Sequence, residues 1–182
     1  MKKAYLFLAT GFEEVEALTV VDILRRGGVD CQTVSVMGDY DVTSSHAITI
    51  RADVLFEEKD LQDADMLIMP GGIPGTPNLK AHAGLEKLIC QYAEAGKYLA
   101  AVCAAPTIYG EMGLLEGKNA TCYPGMEDGL LGANALTDSV VCDGQYITSR
   151  GMGTCIDFGL ALLEKLTDKA TADEIARKIV YR

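Results

Sequence analysis

The chemistry-bearing residue that stands out in this chain is Cys103, which ends an apolar run and is followed by small residues. The segment Tyr98–Thr107 reads YLAAVCAAPT. This pattern is typical of a strand that turns sharply into a helix with a nucleophile at the corner, because bulky neighbours would not fit in the turn. The N-terminus of a helix also favours the thiolate through its N–H groups and its dipole. The sequence therefore predicts that Cys103 is a reactive thiol.

A second candidate, Glu16, belongs to the acidic segment GFEEVE at residues 11–16. Acids in a first helical turn are favoured by the helix dipole, and such a structural role is sufficient for Glu13 and Glu14. Glu16 lies three residues after Glu13 and therefore shares its helix face. A carboxyl group beside a thiolate avoids like-charge repulsion by keeping its proton and donating a hydrogen bond to sulfur. Glu16 is therefore a candidate for proton transfer, with a structural role as the alternative.

A glycine-rich turn, MPGGIPG at residues 69–75, follows a short apolar run. Glycines allow close backbone approach, and adjacent N–H groups can hold an anion. Beside a nucleophile, the N–H groups of Gly72 and Ala104 can form an oxyanion hole, whereas a plain loop is the alternative. The turn lacks the GK[ST] ending of a P-loop, and no GxGxxG follows the first apolar run. We therefore expect no nucleotide cofactor.

Histidine is scarce, since His46 and His82 are the only two in the chain. A cysteine hydrolase needs a base beside its thiol, so the absence of an obvious Cys–His pair disfavours peptide hydrolysis. Two further residues have alternative interpretations. Tyr123 either lines the pocket or packs in a turn, and Arg150 either binds an anion or has a structural or solvated role.

The apolar and amphipathic segments alternate along the chain. We predict strands at 4–9, 31–36, 66–69, 98–102, 120–123, 140–142 and 146–149, an irregular or hairpin segment at 39–50, and helices at 13–26, 84–95, 104–112, 153–166 and 171–180. Continuous apolar strands separated by helices imply a mostly parallel sheet covered on both faces. Ligands of such sheets bind beyond the carboxyl ends of the strands, where Gly11–Glu16, Pro70–Gly72 and Cys103 would meet.

Composition limits the class of protein. At 182 residues we expect one domain, residues 1–182. The formal net charge of −10, with no basic block, argues against nucleic acid and anionic membranes as partners. The first apolar run is short and leads into acidic residues, so we interpret it as a core strand and not as a signal peptide. Six scattered cysteines without a CxxC pair indicate neither a disulfide framework nor a zinc site, and favour a cytoplasmic location.

Five motifs together resemble the ThiJ/PfpI superfamily, specifically its DJ-one branch of bacterial ThiJ-like proteins and the parkinsonism-associated deglycase. They are GFEEVE at 11–16, DILRRG at 22–27, PGG at 70–72, AVCAAP at 101–106 and TSRGMGT at 148–154. The resemblance covers nearly the whole chain. It implies a flavodoxin-like α/β three-layer sandwich and a homodimer, with Arg26 and His46 at positions near the dimer interface, where His46 replaces an arginine.

By the same resemblance, Cys103 is the nucleophile and peroxide-sensitive thiol, Glu16 its protonated partner, and Gly72 and Ala104 the oxyanion donors. No cofactor or metal is implied. Two residues depart from relatives: Ala104 replaces the histidine of PfpI-type peptidases, which argues against peptidase activity. Tyr123 replaces a histidine found in other members, which removes a candidate proton shuttle.

Two functions are consistent with these residues. The first is a cofactor-free glyoxalase III- or deglycase-like lyase or hydrolase that acts on small reactive dicarbonyls or glycated adducts and gives lactate from methylglyoxal. The alternative is a non-catalytic oxidative-stress sensor or chaperone that uses the same thiol. A link to thiamine biosynthesis, carried in the names of some relatives, has no support beyond the glycine turn.

Overall fold

The fold is built on a seven-stranded sheet in a computed structural model that describes residues 1–181. The order is β10-β11-β7-β6-β1-β2-β5, and only β10 runs antiparallel to its neighbour. The strands, including two short two-stranded sheets, are β1 (Lys3–Leu8), β2 (Asp30–Ser35), β3 (Asp41–Thr43), β4 (Thr49–Arg51), β5 (Val54–Leu55), β6 (Met66–Met69), β7 (Tyr98–Val102), β8 (Asn119–Ala120), β9 (Asn134–Ala135), β10 (Val140–Asp143) and β11 (Tyr146–Ser149).

Helices cover both faces of this sheet. They are α1 (Glu14–Arg26), α2 (Gly75–Lys80), α3 (Ala83–Glu94), α4 (Pro106–Glu111), α5 (Cys155–Leu166) and α6 (Lys169–Lys178). Alternate residues of a strand point to opposite faces, and β1 shows this in its own side chains. Leu6 and Leu8 belong to the core with α1, α5 and α6, whereas Tyr5 and Phe7 belong to the core with α2, α3 and α4. The predicted three-layer α/β sandwich with a mostly parallel sheet is confirmed.

The central strands bring the three candidate loops to one edge. β1, β6 and β7 are neighbours and parallel, with Ala4 opposite Met66 and Met66 opposite Tyr98. Their carboxyl ends therefore meet, and the loops that follow them start side by side. The predicted meeting of these three loops at one edge of the sheet is confirmed.

Several element boundaries differ from the prediction for identifiable reasons. Glu13 is the N-cap of α1, because its carboxylate accepts a hydrogen bond from the N–H of Glu16, so the helix begins at Glu14. α4 begins at Pro106 and not at Ala104, because the chain needs two residues to leave the turn at Cys103. The elements β5, α2 and β9 were not predicted, since two to six residues are too few to show a period.

The predicted strand at 120–123 is wrong beyond Ala120. That residue ends β8, which pairs with β9 in a separate two-stranded sheet. Thr121 then donates its N–H to the hydroxyl of Thr148, and Tyr123 donates its N–H to Cys103. The chain thus leaves strand geometry to contact β11 and the turn after β7. The hairpin expected within residues 39–50 is present as β3 and β4.

None of the helices in residues 1–181 has both the length and the apolar character needed to cross a membrane.

Candidate functional site

The turn after β7 holds Cys103 in a backbone conformation that residues other than glycine rarely adopt. Its φ angle is 64°, in the left-handed region. Neighbouring backbone fixes the turn on both sides: the N–H of Cys103 donates to Ser149 O at 3.0 Å, and its carbonyl accepts from Tyr123 N at 2.8 Å. Strain that is held in place in this way is characteristic of functional positions. Cys103 is half-buried as a residue and not enclosed in the core.

Glu16 projects from the first turn of α1 into the same edge of the sheet. It is 1% exposed, and its Oε2 accepts a hydrogen bond from the N–H of Gly71 at 2.8 Å. The N–H of Glu16 in turn donates to Glu13 Oε2 at 2.6 Å. The shared face of Glu13 and Glu16 is thus present, and Glu13 has a structural role as the N-cap of α1.

Gly71 shows how tightly the three loops meet. A Cβ placed on Gly71 would lie 2.6 Å from Cys103 Cβ, 2.7 Å from Glu16 Oε2 and 3.1 Å from Cys103 Sγ. Real Cβ atoms do not approach other atoms so closely, so only glycine fits between these two side chains. The backbone of the glycine turn is therefore in contact with both the acid and the thiol.

Burial changes the protonation of Glu16. Burial, the largest effect, and the nearby Glu13 carboxylate together raise its pKa to about 7, although hydrogen bonds with Gly71 and Cys103 act in the opposite direction. Glu16 can therefore hold or release a proton near neutral pH, which is the range that general acid–base catalysis needs.

The thiol of Cys103 is under opposing influences. Burial and, to a smaller extent, the Glu16 carboxylate raise its pKa to about 12, although hydrogen bonds from the N–H groups of Ala104 and Gly72 act in the opposite direction. The expected assistance from a helix N-terminus is outweighed by burial, and α4 has only six residues. The repulsion from Glu16 disappears when Glu16 is protonated. A protonated acid and a thiolate are therefore mutually stabilising here.

The N–H groups of Gly72 and Ala104 both act on the sulfur of Cys103. Two backbone donors that converge on a nucleophile are suited to bind an oxygen anion that develops beside it. The structure thus brings together all four residues that the sequence singled out, Cys103, Glu16, Gly72 and Ala104.

Three residues around this cluster received little or no weight from the sequence. Tyr123 is 51% exposed and lies next to Gly151, which is itself near Glu16. Cys155 is buried, donates from Sγ to Gly151 O at 3.3 Å, and has its pKa raised by burial and by Glu16. Gly151 and Cys155 follow β11, so the same rule about carboxyl ends of strands could have indicated them.

The two histidines have partners of their own. His82 is the N-cap of α3, and its Nδ1 accepts from Leu85 N at 3.0 Å. His46, in the β3–β4 hairpin, lies 2.9 Å from Glu14 Oε1. One ligand atom each from Glu13, Glu14 and His46 lies within 4.8 Å of the others, but these groups already serve as a helix cap and an ion pair.

Two further features lie outside the cluster of the four candidate residues. Arg150, weighed as an anion binder, lowers the pKa of Cys122 against the larger effect of burial. A cavity of about 340 Å³ lies between α2, α3 and α4, lined by Leu79, Ile89 and Ile108 among others, and contains none of the four candidate residues.

The fold and this edge define a class: an α/β protein with a strained cysteine turn beside a buried acid. Comparison with known proteins then identifies the family. The sequence profile of the DJ-1/PfpI family matches residues 2–165. The chain is 33% identical to protein dj-1beta of Drosophila melanogaster, over 98% of this chain and 97% of that protein. The chain belongs to the DJ-1/PfpI family and to its DJ-1 branch, as the resemblance predicted.

Plant relatives are longer. The chain is 39% identical to protein DJ-1 homolog B of Arabidopsis thaliana, over 100% of this chain but 42% of that protein, and it spans 47% of homolog A. It therefore spans about half the length of these two relatives.

Solved structures agree with the fold. The C103A mutant of the DJ-1 superfamily protein STM1931 from Salmonella typhimurium has a TM-score of 0.96 and 33% identity, with 100% of each chain covered. Oxidized Toxoplasma gondii DJ-1 has a TM-score of 0.96 and 31% identity, covering 100% of this chain and 99% of that one.

Proposed function

We propose that this protein is a cysteine-dependent, cofactor-free enzyme that converts small 2-oxoaldehydes to 2-hydroxy acids. The convergence of Cys103, Glu16 and the N–H groups of Gly72 and Ala104 around Gly71 is the observation that supports this function. It supplies a nucleophile, a proton carrier and an anion pocket in one place.

In the proposed reaction, the thiolate of Cys103 attacks the aldehyde carbon C1, and a C–S bond forms as the carbonyl electrons move to oxygen. The N–H groups of Gly72 and Ala104 stabilise that oxygen anion until it takes the proton of Glu16. Glu16, now ionised, removes the C1 proton and delivers it to the adjacent carbon C2, while the hydroxyl proton on the C1 oxygen passes to the C2 oxygen, so that C1 becomes a carbonyl and C2 carries the hydroxyl group. The resulting thioester of a 2-hydroxy acid is hydrolysed by water, which releases the acid and the thiol.

A glycated adduct fits the same groups. Attack of Cys103 on an adduct between a dicarbonyl and an amine would release the amine, which takes its proton from Glu16. The C–N bond of the adduct breaks as the C–S bond forms, which gives the same hemithioacetal as addition to the free aldehyde, so both substrate classes belong to the proposal.

The test compares methylglyoxal consumption by the parent with Cys103→Ala and Glu16→Gln, and with Cys142→Ala as a matched control at an exposed cysteine. We expect no turnover above background in Cys103→Ala, a loss of at least about 100-fold in Glu16→Gln, and little change in Cys142→Ala. Full activity of Cys103→Ala would overturn the proposal.

A second candidate function, a peroxide sensor, is supported by the accessibility of Cys103 and by the oxidized state of the Toxoplasma relative. A peroxide would transfer one oxygen to the thiolate to give sulfenic acid and water, and a second peroxide would give sulfinic acid. Peptide mass spectrometry after mild peroxide should locate two added oxygens at Cys103. Equal oxidation of Cys90, Cys103 and Cys142 would contradict a sensor role.

We also propose a homodimer, which the family resemblance implies. Val15 and Leu18 are exposed on one side of α1, and Ile48 is exposed on the adjacent hairpin. Light scattering should give twice the chain mass for the parent and one chain mass for Leu18→Glu. A monomeric parent at tens of micromolar would rule the dimer out.

The single domain 1–182 and the cytoplasmic location stay predictions. One cooperative unfolding transition, by two independent probes, would support the first. Recovery of the protein in a cytosolic fraction with Cys103 reduced would support the second.

A further inference from the structure

An open space about the size of a methyl group lies between the ring of Tyr123 and the carboxyl group of Glu16. A Cβ placed on Gly151 would lie 3.5 Å from Tyr123 Cδ2, 3.9 Å from Tyr123 Cε2 and 3.8 Å from Glu16 Oε1. These are ordinary van der Waals distances, and apart from the chain neighbours Arg150 and Met152 no other residue has an atom nearer than these three. The floor of the space is therefore the backbone of Gly151, and its walls are an aromatic ring and the proposed proton carrier.

Tyr123 is fixed at its backbone and open at its ring. Its N–H donates to the carbonyl of Cys103 at 2.8 Å, so its position is tied directly to the nucleophile turn. Its side chain is nevertheless 51% exposed. One part of the ring borders the space above Gly151, and the rest borders solvent.

The two oxygens of Glu16 have different surroundings. Oε2 accepts the hydrogen bond from Gly71, whereas Oε1 is the oxygen that borders the space above Gly151. A substrate atom in this space therefore touches the oxygen that the backbone does not hold.

We infer that Tyr123 and Gly151 determine which substituent the substrate carries on C2, an inference that rests on the proposed function. With C1 bonded to Cys103 Sγ, C2 lies toward Glu16 Oε1 and its substituent passes over Gly151 along the Tyr123 ring. The substituent then reaches solvent, so its length is not limited. The site thus selects 2-oxoaldehydes with a flat apolar substituent, above all an aryl group.

The first test compares kcat/KM for phenylglyoxal and methylglyoxal in the parent, Tyr123→Ala and Tyr123→Phe. Aromatic pairs are favourable beyond their buried area, so Tyr123→Ala should lower the phenylglyoxal-to-methylglyoxal ratio by roughly 3- to 10-fold. Tyr123→Phe keeps the ring and should keep the ratio. An unchanged ratio in Tyr123→Ala would overturn the inference.

The second test is Gly151→Ala, which places a methyl group in the space without a steric clash. We expect kcat/KM for methylglyoxal to fall by about 10-fold relative to that for glyoxal, whose C2 carries only hydrogen. An equal fall for both substrates would show that residue 151 acts on the acid or the fold and not on the substituent.

A third test does not depend on turnover. Bromoacetone and 2-bromoacetophenone alkylate a thiol by forming a C–S bond as bromide leaves, and they differ in methyl against phenyl. Peptide mass spectrometry should show a lower phenyl-to-methyl rate ratio at Cys103 in Tyr123→Ala than in the parent. That result without dicarbonyl turnover would retain the subsite and reject the proposed function. Unchanged ratios in an active enzyme would reject the subsite alone.

Discussion

Glu14 and Glu16 lie on different faces of the first turn of α1, and their surroundings shift the pKa of the carboxyl group in opposite directions. Glu14 and Glu16 are two residues apart, and they are 7% and 1% exposed. Burial opposes ionisation of both. For Glu14, the hydrogen bond from its own backbone N–H and the hydrogen bonds with His46 and Ser44 together outweigh burial and lower the pKa of the carboxyl group. For Glu16, burial is the largest effect and raises the pKa to about 7.

This difference shows that partners, and not position in the helix, decide the charge of a buried acid. Both carboxylates lie at the same helix N-terminus, so the helix dipole acts on both. Glu14 faces the β3–β4 hairpin, where Nδ1 of His46 lies 2.9 Å from Glu14 Oε1. Glu16 faces a thiol and an uncharged backbone. The outward face is thus suited to a fixed ion pair, and the inward face to a group that exchanges its proton.

The largest expected effect that separates the two faces is on turnover. Glu16→Gln keeps the shape but removes the exchangeable proton, so kcat for methylglyoxal should fall at least about 100-fold. Glu14→Gln should change kcat by less than about 3-fold, because Glu14 does not face the thiol. Steady-state assays of both variants measure this contrast. Equal losses would mean that the two faces do not have separate roles.

The second prediction concerns stability against pH. The folded pKa of Glu16, about 7, lies above the ordinary 4.5, so the folded state holds the proton more tightly than the unfolded state. The stability that this tighter proton binding gives to the folded state is fully present below about pH 4.5 and is lost as pH rises through about 7. This pKa shift corresponds to a change of roughly 3 kcal/mol in the free energy of unfolding. Urea unfolding should therefore show that Glu16→Gln stabilises the protein relative to the parent at about pH 8 but not at about pH 4.5.

The opposite dependence of stability on pH is expected for Glu14. Its folded pKa is lowered, so its contribution is present above the ordinary pKa and is lost as pH falls through the folded value. Glu14→Gln should therefore destabilise at neutral pH. A stabilising effect of Glu14→Gln at about pH 8, measured by the same unfolding experiment, would contradict the assignment of the outer face.

The smallest expected effect is that of His46→Ala. It leaves the buried Glu14 carboxylate without its imidazole partner, which costs about 1 kcal/mol in the free energy of unfolding at neutral pH. Turnover should be unchanged, because His46 is paired with Glu14, which does not face the thiol. A large loss of activity with unaltered stability would place His46 in the functional site.

The order of the layers and the edge that carries the site could be predicted from short-range patterns. Apolar runs such as Tyr98–Val102 mark buried parallel strands, and parallel neighbours bring their carboxyl ends together. Glu16 and Cys103 followed from the spacing of acids and from the small residues after the thiol. These features are local, so the sequence displays them directly.

The partners that set protonation could not be predicted, because they lie far apart in the chain. The N–H of Gly71 that holds Glu16 is 55 residues away, and the oxygen of Ser149 that holds the N–H of Cys103 belongs to another strand. Nothing local to Glu14 shows that a hairpin histidine will cover it. Burial of Cys103 likewise depends on how three loops meet, which is why the helix dipole alone predicted a lower pKa for the thiol.

The central claim is that the proton of Glu16 governs the ionisation of Cys103. The most direct measurement is the rate of iodoacetamide alkylation at Cys103, followed by peptide mass spectrometry from about pH 5 to 10 in the parent and in Glu16→Gln. We expect an inflection near pH 7 in the alkylation rate of the parent, and we expect it to disappear in Glu16→Gln. A single ionisation at the value of a free cysteine, unchanged by the substitution, would contradict it.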